Sequence, residues 1–297
     1  AGVSTFPAAA ASYVRLADTQ PSWEGSLNYA VEPNVNVFAR VSHGFRGPTI
    51  QGRNAVFSSA FVTATSETIT SYEAGIKSNL FGNTLRFNAT GFYYKVHNIQ
   101  LNGNDANNNG LLFNANQAQA WGGEAELTWR PVPEFTLGLG GSVLHTEITD
   151  TRVYAPVCKL NGVVTCTVLN PTINVGAATL AQINGNVLPD APKYQLDANA
   201  RYDYPLGNGG KLFLAGDVTL QGYTSFVPYK TVEYTSDGTF EAGLKAGYAA
   251  PENKYELAVF VRNLTNEKNL KGVLDNYNAA VFRSEEHTSE LQSRITI

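Results

Sequence analysis

The sequence predicts an all-β protein: an antiparallel up-and-down transmembrane β-barrel, of which this chain supplies about ten strands of a larger whole. Three observations predict it. Segments of roughly 9–12 residues alternate apolar and polar side chains with period two, a length that suits a tilted membrane-crossing strand. The connections between them alternate in length, tight then long. Charges keep almost wholly to one parity, while aromatic residues gather at strand ends beside the tight connections, as in an interfacial girdle.

The strands follow in order. SLNYAV opens the set. NVNVFARVSHGF sets Val35, Val37, Ala39 and Val41 against Asn36, Arg40 and Ser42. SYEAGIKSNL sets Tyr72, Ala74, Ile76 and Leu80 against Glu73, Lys77 and Asn79, and TLRFNATGFYYKV sets Leu85, Phe87 and Ala89 against Arg86, Asn88 and Thr90. WGGEAELTW carries Trp121, Ala125, Leu127 and Trp129 opposite Glu124, Glu126 and Thr128. FTLGLGGSVL comes next, then YQLDANARYDY, with Leu196, Ala198, Ala200 and Tyr202 opposite Asp197, Asn199, Arg201 and Asp203. KLFLAGDVTL, TFEAGLKAGYA and YELAVFVRN complete the ten, the last two placing Glu241, Lys245, Glu256 and Arg262 on the polar side. Tight connections at Glu32–Asn34, Phe81–Asn83, Pro131–Glu134, Pro205–Gly210 and Ala250–Asn253 each close a hairpin. Long ones at Gly47–Thr70, Gly103–Ala118, Glu147–Lys193 and Thr224–Gly238 join hairpin to hairpin. All short turns therefore lie at one end and all long loops at the other.

The composition fits this plan. Of 297 residues, 43% are hydrophobic and only 15% charged, with Tyr and Phe at 15 each and Gly at 27. A net charge of −4 does not suit a nucleic-acid binder, which carries a basic patch or stripe. No apolar run approaches the ~18 residues of a membrane helix, which excludes helical spans and says nothing against strands. There is no methionine, and the opening AGVSTFPAAAASYV has neither the basic nor the apolar part of a signal peptide.

Few residues suggest chemistry. His43, His97, His145 and His287 are scattered without metal-ligand spacing, so no metal site is expected. Neither G-x-S-x-G nor H-E-x-x-H occurs, so no catalytic residues and no cofactor are expected. The glycine-rich Leu137–Ser142 is followed by no helix pattern and reads as small residues in a barrel strand. Cys158 and Cys166 lie in the longest loop. An oxidising compartment at the cell surface favours a disulfide between them; two free thiols or a metal pair are the other readings.

Several segments together resemble TonB-dependent outer-membrane receptors. Phe38-Ala39-Arg40-Val41-Ser42-His43-Gly44-Phe45-Arg46-Gly47-Pro48 is similar to the family's strand that climbs into a long extracellular loop. SYEAGIKSNLFGNTLRFNATGFYYKVHNIQ, AWGGEAELTWRP, APKYQLDANARYDY and VFVRNLTNEKNL resemble later family segments in order and spacing. The resemblance runs from about Pro21 to Asn269. It implies an outer-membrane receptor of a Gram-negative cell that imports a scarce nutrient of the ferric-siderophore, cobalamin or glycan class. The implied partners are outer-membrane lipid, the nutrient ligand, and TonB acting through a plug region that these residues do not include. A passive porin or adhesin, or an outer-membrane barrel enzyme, is the alternative; a porin would lead from a signal peptide directly into strands. The resemblance places ligand contacts on the extracellular loops and upper lumen, where Arg46, Arg53, Tyr223 and Tyr229 stand at loop entrances.

Three stretches are expected. Residues 1–22 are a loop or partial preceding segment, 23–282 are the partial barrel, and 283–297 are a non-native tail. RSEEHTSELQS in that tail resembles a translated sequencing adapter, which implies a coding sequence interrupted at both borders. The alternative for the tail is a short amphipathic helix, given Glu285, Glu286, Glu290 and Leu291.

Overall fold

A computed structural model describes residues 13–52, 61–104, 110–160, 163–270, 272–273 and 290–296. The ten expected strands are β1 (Trp23–Glu32), β2 (Val35–Arg46), β3 (Glu67–Leu80), β4 (Leu85–Asn104), β5 (Gly110–Trp129), β6 (Phe135–Ile148), β7 (Tyr194–Pro205), β8 (Lys211–Gln221), β9 (Thr239–Ala249) and β10 (Glu256–Arg262). Each pairs antiparallel with its neighbours in sequence, so the sheet is a meander without crossovers.

The register keeps the two parities apart across the whole sheet. Phe87, Leu127 and Leu139 stand in one cross-strand row, and Asn88, Glu126 and Gly140 in the next. A slip of one residue would exchange the faces of a strand and put carboxylates among the leucines. Among the described residues of β1–β10, no charged side chain has the apolar parity between Trp121 and the tight turns except Glu32, which a bulge at the turn end of β1 sets opposite Val35. Leu214, Leu139, Val259 and Leu244 are exposed on that face. An apolar face this broad on a sheet of this length needs a lipid partner.

Two aromatic rows border it. Beside the tight turns stand Phe81, Trp129, Phe135, Tyr204, Tyr248 and Tyr255, where the sequence predicts a girdle; Trp129 meets Phe135 edge-on at 6.4 Å. A second row, which the alternation alone did not single out, runs through Trp23, Tyr72, Tyr93, Trp121 and Tyr194. His43 and His145 complete it, stacked on Trp23 at 5.8 Å and against Trp121 at 4.0 Å. Trp121 and Trp129 thus bracket a strand stretch of about 26 Å, or about 20 Å along the normal at a tilt of roughly 40°, close to the apolar band of an outer membrane.

One expectation needs correction. The connection Gly103–Ala118 is not a loop over most of its length: β4 and β5 are 20 residues each and continue as a paired hairpin past the upper aromatic row. Its Asn and Gln side chains weaken the strand signal, but the extension is held from outside the hairpin. Gln100 Nε2 donates to the carbonyls of Gly47 and Thr65, and Asn114 Nδ2 to those of Thr65 and Asn98. Glu290–Thr296 forms a further strand, β11, antiparallel to β10. An open edge offers its unpaired N–H and C=O groups to any extended segment.

The buried apolar cluster lies in the loops, not in the sheet. Leu101, Ala115 and Ile148 at the upper strand ends pack with Val153, Ala155, Val157, Cys158, Ala181 and Ile183 of the β6–β7 connection, and with Val227, Tyr229 and Tyr234 of the β8–β9 connection. The sheet leaves its apolar side exposed, and no core is packed against it among the described residues. The cap faces water and must have one.

Candidate functional site

The polar face of the sheet is the first part of the site. Arg40, Glu73, Lys77, Arg86, Glu124, Glu126, Asp197, Arg201, Glu241, Lys245 and Arg262 all have the parity of this face. The strands curve enough for Glu24, Arg40, Lys77, Arg86 and Glu126 to enclose about 540 Å³. Cations and carboxylates pair across strands, Arg40 with Glu73 at 3.5 Å and Glu24 at 3.9 Å, Lys211 with Asp203 at 3.8 Å and Lys245 with Glu256 at 2.6 Å, and along β7, Arg201 with Asp203 at 2.8 Å. Such half-exposed pairs add little stability singly but keep the wall wet and polar.

Aromatic rings on the same face lie over glycines of the neighbouring strand. Phe38 covers Gly75, Phe92 covers Gly122 and Phe213 covers Gly247, each a register pair. A Cβ at Gly75 would strike the Phe38 ring, so only glycine allows that close approach. Lys77 then sits 5.5 Å above Phe38, and Arg201 4.0 Å above Phe213.

The loop cap is the second part. Cys158 and Cys166 are joined by a disulfide, with Cα atoms 5.8 Å apart. It closes the small hairpin of Lys159–Leu160 with Val163–Val164. The Cys158 N–H donates to Tyr229 Oη at 3.1 Å, tying the β6–β7 connection to the β8–β9 connection. Further ties join the same two segments. Asn186 Nδ2 donates to the Pro228 carbonyl at 2.9 Å, Leu169 N–H to the Lys230 carbonyl at 2.9 Å, and Lys230 N–H to Asn170 Oδ1 at 2.6 Å.

Glu233 is a clasp in this seam. Its carboxylate accepts from Thr167 N–H at 2.8 Å, Thr167 Oγ1 at 2.8 Å and Thr231 Oγ1 at 2.8 Å. Burial opposes the charge, but these hydrogen bonds outweigh it and hold the carboxyl below its ordinary range. A depressed folded pKa contributes stability above the unfolded pKa, and that contribution is lost as pH falls through the folded value. Acidification below the ordinary glutamate range is therefore expected to open the seam. Protection of the Thr167 and Leu169 amides, measured against the intrinsic exchange rate at each pH, should fall, and Glu233→Gln should already show lower protection at neutral pH and a weaker response to acid.

The two parts meet at a cavity of about 530 Å³ at the loop end. Four connections build it: Gln51 after β2, residues 99–104 and Gly110 of the β4–β5 hairpin, Leu188–Asp190 before β7, and Phe226–Tyr229 between β8 and β9, with Val273 alongside. The volume is that of a small-molecule site. Burial pushes the Asp190 carboxyl up.

Of the residues expected at loop entrances, Tyr229 lines this cavity, though only 1% of it is exposed and its hydroxyl is engaged with Cys158. Arg46, at the top of β2, pairs with Glu67 at 3.9 Å. Tyr223 lies under Lys193, 5.2 Å from the ring, and burial raises its hydroxyl pKa. Neither Arg46 nor Tyr223 is in the cavity wall, and Arg53 lies outside the described residues. Sequence reasoning missed Glu233, Asn170 and Asn186, because contacts between loops some 40–70 residues apart leave no periodic trace. It also missed Asp190, for which Pro189-Asp190 offered only a turn signal.

The family profile described as TonB dependent receptor-like, beta-barrel matches residues 2–264. No curated protein matches the sequence. Among solved structures, the siderophore receptor PiuA from Acinetobacter baumannii superposes with a TM-score of 0.66 at 14% identity, over 92% of this chain and 35% of that one. The ferric yersiniabactin uptake receptor FyuA from Yersinia pestis gives 0.63 at 18% identity, over 91% and 35%. The ferric-catecholate import receptor Fiu from E. coli K12 gives 0.62 at 14% identity, over 92% and 34%. The chain spans about a third of the length of these structures.

Proposed function

The chain belongs to the TonB-dependent receptor-like β-barrel family, and on that premise we propose that it is part of the wall and outer mouth of an outer-membrane receptor. The receptor takes up a scarce nutrient, with a ferric siderophore as the foremost class and cobalamin or a glycan as the others, and TonB supplies the energy through the plug region. The observation that carries the reading is the arrangement of one sheet: a lipid-facing side without charge, a charged inner wall, and four connections converging at one end on a ligand-sized cavity. Solved structures named for ferric yersiniabactin uptake and ferric-catecholate import superpose on nearly the whole chain, which supports placing iron chelates first. The role of this chain is capture and passage rather than chemical conversion. The lipid of the outer membrane is the partner of its apolar face. The cap gathers the ligand, and the polar wall below offers it a wet route.

The test is uptake of radioactive ferric chelates by cells expressing the encoding gene, with TonB present and absent. Accumulation is expected to depend on the gene and to disappear without TonB. Accumulation that persists without TonB would make the protein a passive pore and contradict the reading.

A further inference from the structure

The cavity at the loop end has a wall chemistry that selects among ligands. Among the described residues, no Lys, Arg or His lines it. Its polar side chains are the amides of Gln51, Gln100, Asn102 and Asn104, and its one charged group is Asp190. Phe226, Pro189 and Pro228 contribute the apolar surface. Asp190 is held at the rim by its backbone: its N–H donates to the Ser225 carbonyl at 2.8 Å, and its φ of 56° is in the left-handed region. The nearest charged neighbours along the chain are Lys230, next to Tyr229, and Lys193, which lies over the Tyr223 ring; neither is in the cavity wall.

A ligand entering this space loses water. An anion would do so beside a carboxylate and without a cation, which leaves its charge uncompensated. A cation would meet Asp190, and a neutral ligand rich in N–H and O–H groups would meet amide oxygens of the wall other than that of Gln100, which already accepts from Thr49 Oγ1. We infer that this cavity selects a cationic or neutral ligand rich in hydrogen-bond donors and turns away anionic chelates. The inference rests on reading the cavity as the capture site and adds to it the charge class of the cargo.

The experiment is equilibrium dialysis of the full chain refolded into detergent micelles, against ferrioxamine B, a cationic ferric tris-hydroxamate, and ferric enterobactin, an anionic ferric tris-catecholate. The cationic chelate is expected to bind at least about tenfold more tightly. Asp190→Asn, which keeps a residue tolerant of positive φ, should bring the two affinities to within about threefold. Asn102→Lys adds a cation at an exposed position of the wall without touching the Asp190 turn, and should shift the preference towards the anionic chelate. Tighter binding of the anionic chelate by the unaltered chain, or an unchanged preference in both variants, would overturn the inference and leave the cavity as a capture site. Binding of neither chelate by the unaltered chain, with the strand content of the sheet intact by circular dichroism, would overturn the capture site and the inference together.

Discussion

Tyr229→Ala is expected to destabilise the loop cap by about 3–5 kcal/mol, the range for removing a large buried aromatic side chain. Tyr229 is the largest fully buried side chain of the described residues and sits where the β6–β7 and β8–β9 connections meet. Its loss removes a ring from the cluster and leaves the Cys158 N–H without its acceptor. Tyr229→Phe keeps the ring and loses only the hydroxyl, so a cost of about 1–3 kcal/mol is expected. Removing the disulfide with Cys158→Ser and Cys166→Ser should cost about 2–3 kcal/mol, since it releases a short closed loop. Amide exchange measured along the chain checks all three. Faster exchange should appear in both connections at once, because one cluster serves both, while the β7–β8 ladder stays protected. A change confined to residues near 229 would contradict a shared core.

Ala125→Arg is expected to destabilise the sheet in lipid by about 2–4 kcal/mol, the cost of an arginine at the middle of the bilayer. Ala125 is exposed on the apolar face, midway between Trp121 and Trp129. Thr90→Arg is the matched control. It introduces the same side chain on the polar face, opposite Glu124, and should change stability by no more than about 0.5 kcal/mol. Guanidinium unfolding in lipid vesicles measures both. Equal costs at the two positions would mean that the faces are not exposed to different solvents.

The sheet was legible in the sequence because period two is a local signal repeated ten times, with charges such as Glu124, Glu126, Asp197 and Arg201 marking one side throughout. The tight turns were legible from their Pro, Gly and Asn residues. The extension of β4 and β5 was hidden because NIQLNGN and GLLFNANQAQ mix both signals; their strand state depends on Gln100 and Asn114 holding a distant loop. The strand at Glu290–Thr296 had no sequence warrant either, since it is the edge of β10 that draws it out. The site was legible only in part. Cys158 and Cys166 could be paired from their spacing and compartment. The Glu233 seam, the Asn186–Pro228 and Lys230–Asn170 hydrogen bonds and the position of Asp190 depend on how two long connections fold onto each other, and nothing in either connection alone encodes its partner.

The central claim is that the two parities of each strand face two different solvents. Single nitroxide labels placed in turn at positions 121–129 of β5, with the chain in lipid vesicles, test it most directly. Collisions with oxygen, which concentrates in lipid, should peak at the odd positions, and collisions with a water-soluble nickel chelate at the even ones, in opposite phase along the strand. Odd positions shielded from both reagents, or the two reagents rising and falling together, would place the apolar face against protein and contradict the membrane barrel.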